Sequence, residues 1–552
     1  MKKKIDISSK QLTRLLVLFT ALRIFIAGRQ MIFALPGSAP IDDDLYFAWA
    51  QSISRGEWLG EYNYLTLSKY PFFAVLLAFI HFVKIPYLIA NCIPWLLAGF
   101  VAMKAFGPVL RTRLGRLGVY LAVVYAPSTW AMHTLRVYRD SFFPIICSIF
   151  FFSVAGWALR IKDEVIKGLP YMALASVSAA LSYITREDGY WLAPFGITAF
   201  LICAVYVWKD RELENKVIRL VPAVLPVLAT ALAVITICNI NNKYYGTFTL
   251  SDFTSGAFAD CYGRMTRLSH EEWDPLVAVP SDVREKLYRE SDTFASFREE
   301  LEEGLPKKAF MRSSKGDYLS GSFYWALRLA AQDLGYYKDR GSTAALWVKL
   351  AEEVNAAADR DPGRLGERHS VTPPLRKEYV GPVVSTALES IKYVFSLKDM
   401  ERYEDTISDV TTGRLEKIED YLHSKSNYAA VEYSDFPYYT PGQKVVFGLC
   451  GAITLLFRLI LTPLFAASLI GAALGFIRFR KLDFKKQLLC FIVLGYTLMA
   501  LFRVFIISFM EEAAFDIGIY SMYLSCVYPL VFICAALAGA FWLPDPDEEE
   551  RE

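Results

Sequence analysis

Three consecutive aspartates, Asp42, Asp43 and Asp44, stand after a long apolar block and directly before the run LYFAWAQSI. A carboxylate at a water–lipid boundary is partly desolvated, which lifts its pKa toward the range useful to a general base. It would also meet a lipid-borne and a water-soluble reactant together. The competing use is a helix N-cap, for which aspartate is preferred and whose charge suits the helix dipole. That use accounts for one or two of the three. Neighbouring residues of a turn point in different directions, so all three cannot face one cavity. Asp44, at the start of an amphipathic helix lying on the membrane, is the expected cap, and Asp43 is favoured over Asp42 as the base.

A second group lies in LRVYRDSFF, where Asp140 opens an apolar block beside Arg136 and Arg139. Asp140 either caps that helix, or orients an acceptor or holds a divalent cation while an arginine faces a phosphate. Asp43 and Asp140 across one cavity would repel unless a cation or an arginine lay between them. Arg136 or Arg139 supplies that charge, so metal dependence is open, with Asp43 and Asp140 as the ligands if an ion binds. Lys69, in LSKYPFF, snorkels to the interface or faces a phosphate. Arg186, Glu187 and Asp188 form a compact turn, as a local ion pair or as part of the same site. Arg503 lies inside a late apolar block, where an ionisable group is costly and faces a cavity or a partner. Arg23 and Arg458 belong to the same class. His133 is the histidine nearest these acids, either structural or a support for the acceptor.

The elements that must hold these groups are apolar helices. The 552 residues are 54% hydrophobic and 15% aromatic, more apolar surface than a soluble core needs. The apolar residues recur in blocks near the roughly 20 residues that a spanning helix requires: 15–35, 85–110, 117–132, 141–159, 168–184, 190–208, 217–240, 445–477, 488–509 and 517–543. The first carries Arg23 and Arg29 and is too long and polar for a cleaved signal. Residues 71–83 are apolar but short, which suggests a re-entrant or interfacial helix. Basic loops settle the count: Arg111/Arg113/Arg116, Arg160/Lys162/Lys167, Lys209/Arg211/Lys216 and Arg478/Arg480/Lys481/Lys485/Lys486. All fall on the side of the N-terminal lysines only if 71–83 does not cross, and cytoplasmic loops collect lysine and arginine. The expected fold is therefore an all-α polytopic membrane protein of about ten transmembrane helices with both ends cytoplasmic. Juxtamembrane helices lie in its first external loop.

Residues 241–440 hold 33 of the 57 acids but only 26 of the 59 basic residues. This stretch reads as a mostly helical extracytoplasmic insertion, with helices at 281–304 (Ser281 as cap) and 323–358 and a loop at 359–374. Three regions follow: an N-terminal catalytic module 1–240, the insertion 241–443, and C-terminal helices with an acidic tail, 444–552. A net charge of +2 gives no reason to expect nucleic acid. Eight of nine cysteines lie in apolar blocks and Cys261 alone in the insertion, which excludes a disulfide framework, and no spacing suggests structural zinc.

The order IDDDLYFAWA, SKYPFF, RVYRDSFF and TREDGYWLAP over residues 1–210 resembles the GT-C superfamily of lipid-sugar-dependent glycosyltransferases, which includes protein mannosyltransferases and aminoarabinose transferases. The resemblance implies that one of Asp42–Asp44 is the catalytic base, that Asp140 contacts acceptor or metal, and that Lys69 lies near the donor phosphate. Aminoarabinose transferases carry an acid before that lysine and two prolines after it. Here Ser68 precedes it and Tyr70 and a single Pro71 follow, which argues against zinc. The implied reaction moves a sugar from a polyprenyl-phosphate donor to an acceptor hydroxyl on a glycan, lipid or protein. It would take place outside the cytoplasm, at a bacterial plasma membrane, in cell-envelope glycan assembly. Catalytic roles go to Asp42, Asp43, Asp44 and Asp140. Phosphate binding goes to Lys69, Arg136, Arg139, Arg186 and Arg503, and acceptor contacts or support to Glu187, Asp188 and His133. The insertion would cap the site and set acceptor choice. No nucleotide-binding glycine loop is present, in keeping with a lipid-linked donor. The alternative is a lipid or glycan transporter or flippase, which would favour internal repeats and ionisable groups at the bilayer midplane; the sequence has no such repeat.

Overall fold

The computed structural model describes residues 6–110, 112–268, 274–312, 316–360, 371–400, 408, 413–426 and 440–542. Arg111, the N-terminal lysines, most of the loop 359–374 and the acidic tail lie outside them. The chain is an all-α membrane protein. Among the described residues, eight helices are long and apolar enough to cross a bilayer: Ser9–Arg29, Tyr87–Ala105, Arg139–Ala158, Val165–Thr185, Gly189–Lys209, Lys216–Tyr245, Pro441–Ile477 and Phe484–Phe515. Phe72–Val83 is an apolar helix of 12 residues, roughly 18 Å long and short of a ~30 Å hydrocarbon core.

Two of the ten expected spans are shorter than hydropathy suggests. The block at 117–132 is a 12-residue helix, Arg113–Val124, followed by irregular backbone. Its end is set by Arg23, which is buried in the Ser9–Arg29 helix and donates to Val124 O at 3.1 Å and to Thr129 O at 2.9 Å. A cation on the last carbonyls of a helix satisfies groups that have no partner within it. The block at 517–543 begins with turns and becomes helical only at Val527–Ala536. Hydropathy reports apolarity, and apolarity does not distinguish a continuous helix from a broken one.

Local signals start the long helices. Ser8 and Gln11 form a reciprocal capping box for the first. Thr440 and Gln443 do the same for Pro441–Ile477, and Asp483 caps Phe484–Met510. The central helix, Phe143–Ala158, is buried along its whole length and packs on Tyr87–Ala105 and Val165–Thr185. Gly156 permits that approach, since a Cβ there would stand 2.5 Å from Tyr171 Cδ1 and 3.0 Å from Ala105 Cβ.

The loops separate to two ends of the bundle. At one end the basic loops meet each other: Lys162 pairs with Asp210 at 2.7 Å, and Arg160 donates to Ala105 O at 3.0 Å. The acid-bearing loops and the insertion meet at the other end. The insertion has its own core, built on Phe258, Tyr262, Phe323, Leu327, Trp347 and Leu350. The expected helix at 281–304 is three short helices, Ser281–Glu290, Asp292–Ala295 and Arg298–Glu302. Pro280 rather than Ser281 holds the cap position of the first. Likewise 323–358 divides at Gly335 (φ 77°) into α1 (Ser320–Asp333) and α2 (Arg340–Asp359). One further helix, Lys377–Ser396, packs along Phe484–Met510 and exposes Val380, Val384 and Leu388 on one stripe. Arg458 donates to Ser396 O at 2.9 Å beyond its end.

Candidate active site

A single helical turn at Pro40–Asp44 separates the three aspartates. The amides of Asp42 and Asp43 both donate to Ala39 O at 3.0 Å, and the three side chains leave the turn toward three cations. Asp42 pairs with Lys69, Asp43 with Arg136, and Asp44 with Arg414 of the insertion. Asp44 makes no side-chain cap, contrary to the sequence expectation, because its carboxylate is engaged with Arg414. The helix it precedes, Leu45–Ser54, is buried on most of its surface and does not lie free on the membrane.

Arg136 is aimed by backbone pairing. Phe33 N donates to Leu135 O at 3.0 Å and Val137 N to Phe33 O at 2.8 Å, which fixes the extended segment before Asp140. The Arg136 fork then reaches Asp43, with Nη2 and Nε at 2.7 and 2.9 Å from Oδ1 and Nε at 3.2 Å from Oδ2. Leu35 N donates to Oδ2 at 2.9 Å, so both Asp43 oxygens are taken and the residue is 1% exposed. Burial pushes its carboxyl up, to about 6, against the pull of Arg136.

Asp42 differs. Lys69 and the Tyr138 hydroxyl (3.0 Å) both donate to Oδ1, no described residue bonds Oδ2, and the side chain is 32% exposed. Burial works to raise its pKa, but Lys69, then Arg136 and Arg139, outweigh it and hold the carboxyl down at about 2. Lys69 is itself buried, with Nζ 3.2 Å from Tyr138 Oη. The Tyr138 ring has three cations around it: Arg136 Cζ at 4.9 Å, Lys69 Nζ at 5.3 Å and Arg139 Cζ at 5.6 Å from its centroid.

The remaining candidates form one bonded chain and one separate pair. Arg186 bonds Asp140 Oδ1 and, through Nε at 2.9 Å, Asp188 Oδ1. Arg503 reaches Asp188 Oδ2 at 2.6 Å, and Arg139 holds Glu187 at 2.8 and 3.1 Å. Burial opposes ionisation of Asp188, but Arg186 and Arg503 overcome it and hold the carboxyl well below the usual range. Asp140 Oδ2, Arg139 Nε and Arg503 Nε are buried with no partner among the described residues. Lys69, Arg136, Arg139, Arg186 and Arg503 thus balance Asp42, Asp43, Asp140, Glu187 and Asp188, five charges against five. His133 stands apart, its Nδ1 3.5 Å from Ser521 Oγ and its ring stacked on Tyr528. Burial pushes its pKa down to about 3.

Asp43 and Asp140, the ligands read for a divalent cation, are each already matched by an arginine. Among the described residues no group of three or more His, Cys, Asp or Glu is arranged to hold an ion. The donor set does not fit a metal.

A narrow, shallow apolar cleft lies between Leu76 and Ile80, Tyr87, Ala90 and Asn91, and Ser141 and Phe142, next in sequence to Asp140. Leu76, Ala90 and Phe142 at its mouth are half-buried, next to exposed Phe79 and Phe82. Its polar end is the Tyr87–Ser141 hydroxyl pair at 2.6 Å.

Sequence reasoning did not find Tyr138, Arg414 or the insertion's aromatics. Tyr138 was within reach, since it stands between Arg136 and Arg139 in RVYRD. The others carry no local signal.

No family model matches the chain, and no curated protein matches it. Two solved structures align with it. ArnT from Cupriavidus metallidurans in the apo state is 12% identical, with a TM-score of 0.32, over 96% of this chain and 78% of that one. ArnT from the same organism bound to undecaprenyl phosphate is 10% identical, with a TM-score of 0.30 and the same coverage. Likeness at this level bears no weight on the chemistry.

Proposed function

We propose that the protein is a membrane glycosyltransferase that moves a sugar from a polyprenyl-phosphate donor to an acceptor hydroxyl on the non-cytoplasmic face, in bacterial cell-envelope glycan assembly. The observation that carries this reading is the ten-member charged cluster, its cations largely buried and its acids Asp42, Glu187 and Asp188 part-exposed, set beside apolar surface at the end of a helical bundle. An anionic headgroup on an apolar chain suits that pairing of environments. The lipid chain lies along the apolar surface of Leu76, Phe79, Phe82 and Phe142, and the phosphate meets Lys69 and Arg139, whose Nε–H has no partner among the described residues.

Asp42 is the better base in this geometry, because one of its oxygens is open where both of Asp43 are bonded. Asp43 positions Arg136, which stacks on Tyr138. The acceptor oxygen attacks the anomeric carbon as the carbon–oxygen bond to phosphate breaks. The bond's electrons pass to the phosphate oxygen, and the acceptor proton passes to Asp42 Oδ2. A single in-line displacement inverts the anomeric centre. A phosphate on Lys69 also draws that lysine from Asp42, which raises the Asp42 pKa toward one at which it accepts a proton. Donor binding therefore prepares the base. The cationic cluster stabilises the departing phosphate, an electrostatic role that exclusion of water strengthens.

The test is transfer from a purified polyprenyl-phosphate sugar by protein in lipid nanodiscs. Asp42→Asn should lower turnover at least about 100-fold and leave binding of polyprenyl phosphate within a few-fold of wild type. Wild-type protein that neither binds polyprenyl phosphate nor consumes any polyprenyl-phosphate sugar would refute the reading.

A further inference from the structure

Helix α1 of the insertion lies against the charged cluster. Arg328, fully buried, donates to Tyr64 O at 2.7 Å and Thr66 O at 2.8 Å and pairs with Asp252 at 3.1 Å. Gln332 accepts from Tyr64 N at 3.1 Å. These bonds tie the helix to the segment that leads into Lys69. At its other end Gly321 abuts Phe515, where a Cβ would stand 2.3 Å from Cδ1. One turn before Arg328, Trp325 is buried with its ring 5.8 Å from Lys69 Nζ. Tyr324, beside it, is only half-buried. Its ring is braced edge-on by Phe253 at 4.3 Å and lies 5.5 Å from Trp325, the ring that stands beside Lys69 and so beside its partner Asp42.

We propose that Tyr324 is the sugar-recognising residue of the site, its braced ring forming a platform on which the donor's sugar stacks between Asp42 and the phosphate-binding cations. This inference rests on the transferase reading above. A sugar has an apolar face of C–H groups and a rim of hydroxyls, and a rigid aromatic ring next to the Lys69–Asp42 pair meets both. Arg328 and Gly321 hold the platform at both ends, so it is set before substrate arrives. On this basis the insertion selects the donor's sugar, where the sequence suggested acceptor choice.

The test compares two probes on full-length protein in nanodiscs by native mass spectrometry: bare polyprenyl phosphate, and polyprenyl phosphate carrying one pentose, hexose or amino sugar from a small panel. Wild type should prefer at least one sugar-bearing lipid over the bare one. Tyr324→Leu should reduce that preference about tenfold, the worth of one aromatic contact, with affinity for bare polyprenyl phosphate within twofold. Tyr324→Phe, which keeps the ring, should retain the preference and control for folding. An unchanged preference in Tyr324→Leu, or equal loss of both probes, would overturn the assignment while leaving the transferase reading intact. A wild type that prefers no sugar-bearing lipid would also overturn it. A wild type that binds neither probe would remove the transferase reading and this inference together.

Discussion

Lys69→Gln tests the pairing at the centre of the site. Asp42 is held at about 2 chiefly by Lys69 working against burial, where an ordinary aspartate titrates at 3.8. Without the lysine, burial acts with less opposition and the pKa rises toward the ordinary value, Arg136 and Arg139 still holding it down in part. The full difference, an upper bound, is roughly sixtyfold in proton affinity, about 2.4 kcal/mol, and solvent at the part-exposed carboxylate screens it downward. The sign follows from linkage. A carboxyl whose folded pKa lies below its unfolded value contributes stability that is complete above 3.8 and lost as pH falls from 3.8 toward 2. Wild type should therefore melt above Lys69→Gln at pH 7 and at pH 5, and the gap should shrink between pH 4 and pH 2.5. Thermal unfolding in detergent, followed by intrinsic fluorescence on both proteins at each pH, measures it. A gap that is constant from pH 5 to pH 2.5 would show that the Asp42 charge is not held by Lys69. The same variant should bind polyprenyl phosphate about 10- to 100-fold more weakly, the worth of one charge-assisted hydrogen bond.

Arg503→Met leaves Asp188 with one arginine and should destabilise the protein by about 3 kcal/mol in thermal melts, as loss of one partner from a buried pair does. Asp43→Asn should impair transfer through Arg136. Its signature is a raised KM as well as a lowered kcat, whereas Asp42→Asn lowers kcat alone. Gly156→Ala should cost about 1–3 kcal/mol by crowding Tyr171 and Ala105, read as a lower melting temperature. Single cysteines at the exposed Glu61 and Arg113 should label from opposite faces of intact cells, and labelling from the same face would break the topology.

The sequence made the charged inventory legible and left the wiring hidden. Asp42–Asp44, Lys69, Asp140 and Arg503 stand out because charge in or beside an apolar block is costly and needs a reason. Their pairing depends on contacts far apart in the chain. Arg503 meets Asp188 across 315 positions and Arg414 meets Asp44 across 370. No local pattern records either. Arg23 and Arg458 were legible as intramembrane cations, but both bond helix-terminal carbonyls, which have no side-chain signature. The same limit explains the short helix Arg113–Val124, whose end is decided by Arg23 on another helix. Lys377–Ser396 was read as part of the insertion because 241–440 as a whole carries an excess of acids, yet it lies along the bundle and presents Val380, Val384 and Leu388 outward.

The exact balance of charge in the cluster has a consequence for turnover. Every cation offered to a phosphate already has a carboxylate of its own chain, so an arriving anion exchanges one partner for another instead of filling an empty positive pocket. The displaced carboxylates stay beside the site at high effective concentration. After transfer the lipid phosphate has lost its sugar contacts, and those tethered acids compete it off. Affinity for the spent carrier is capped by the protein itself, and a site rich in arginine is kept from becoming a trap for its own product.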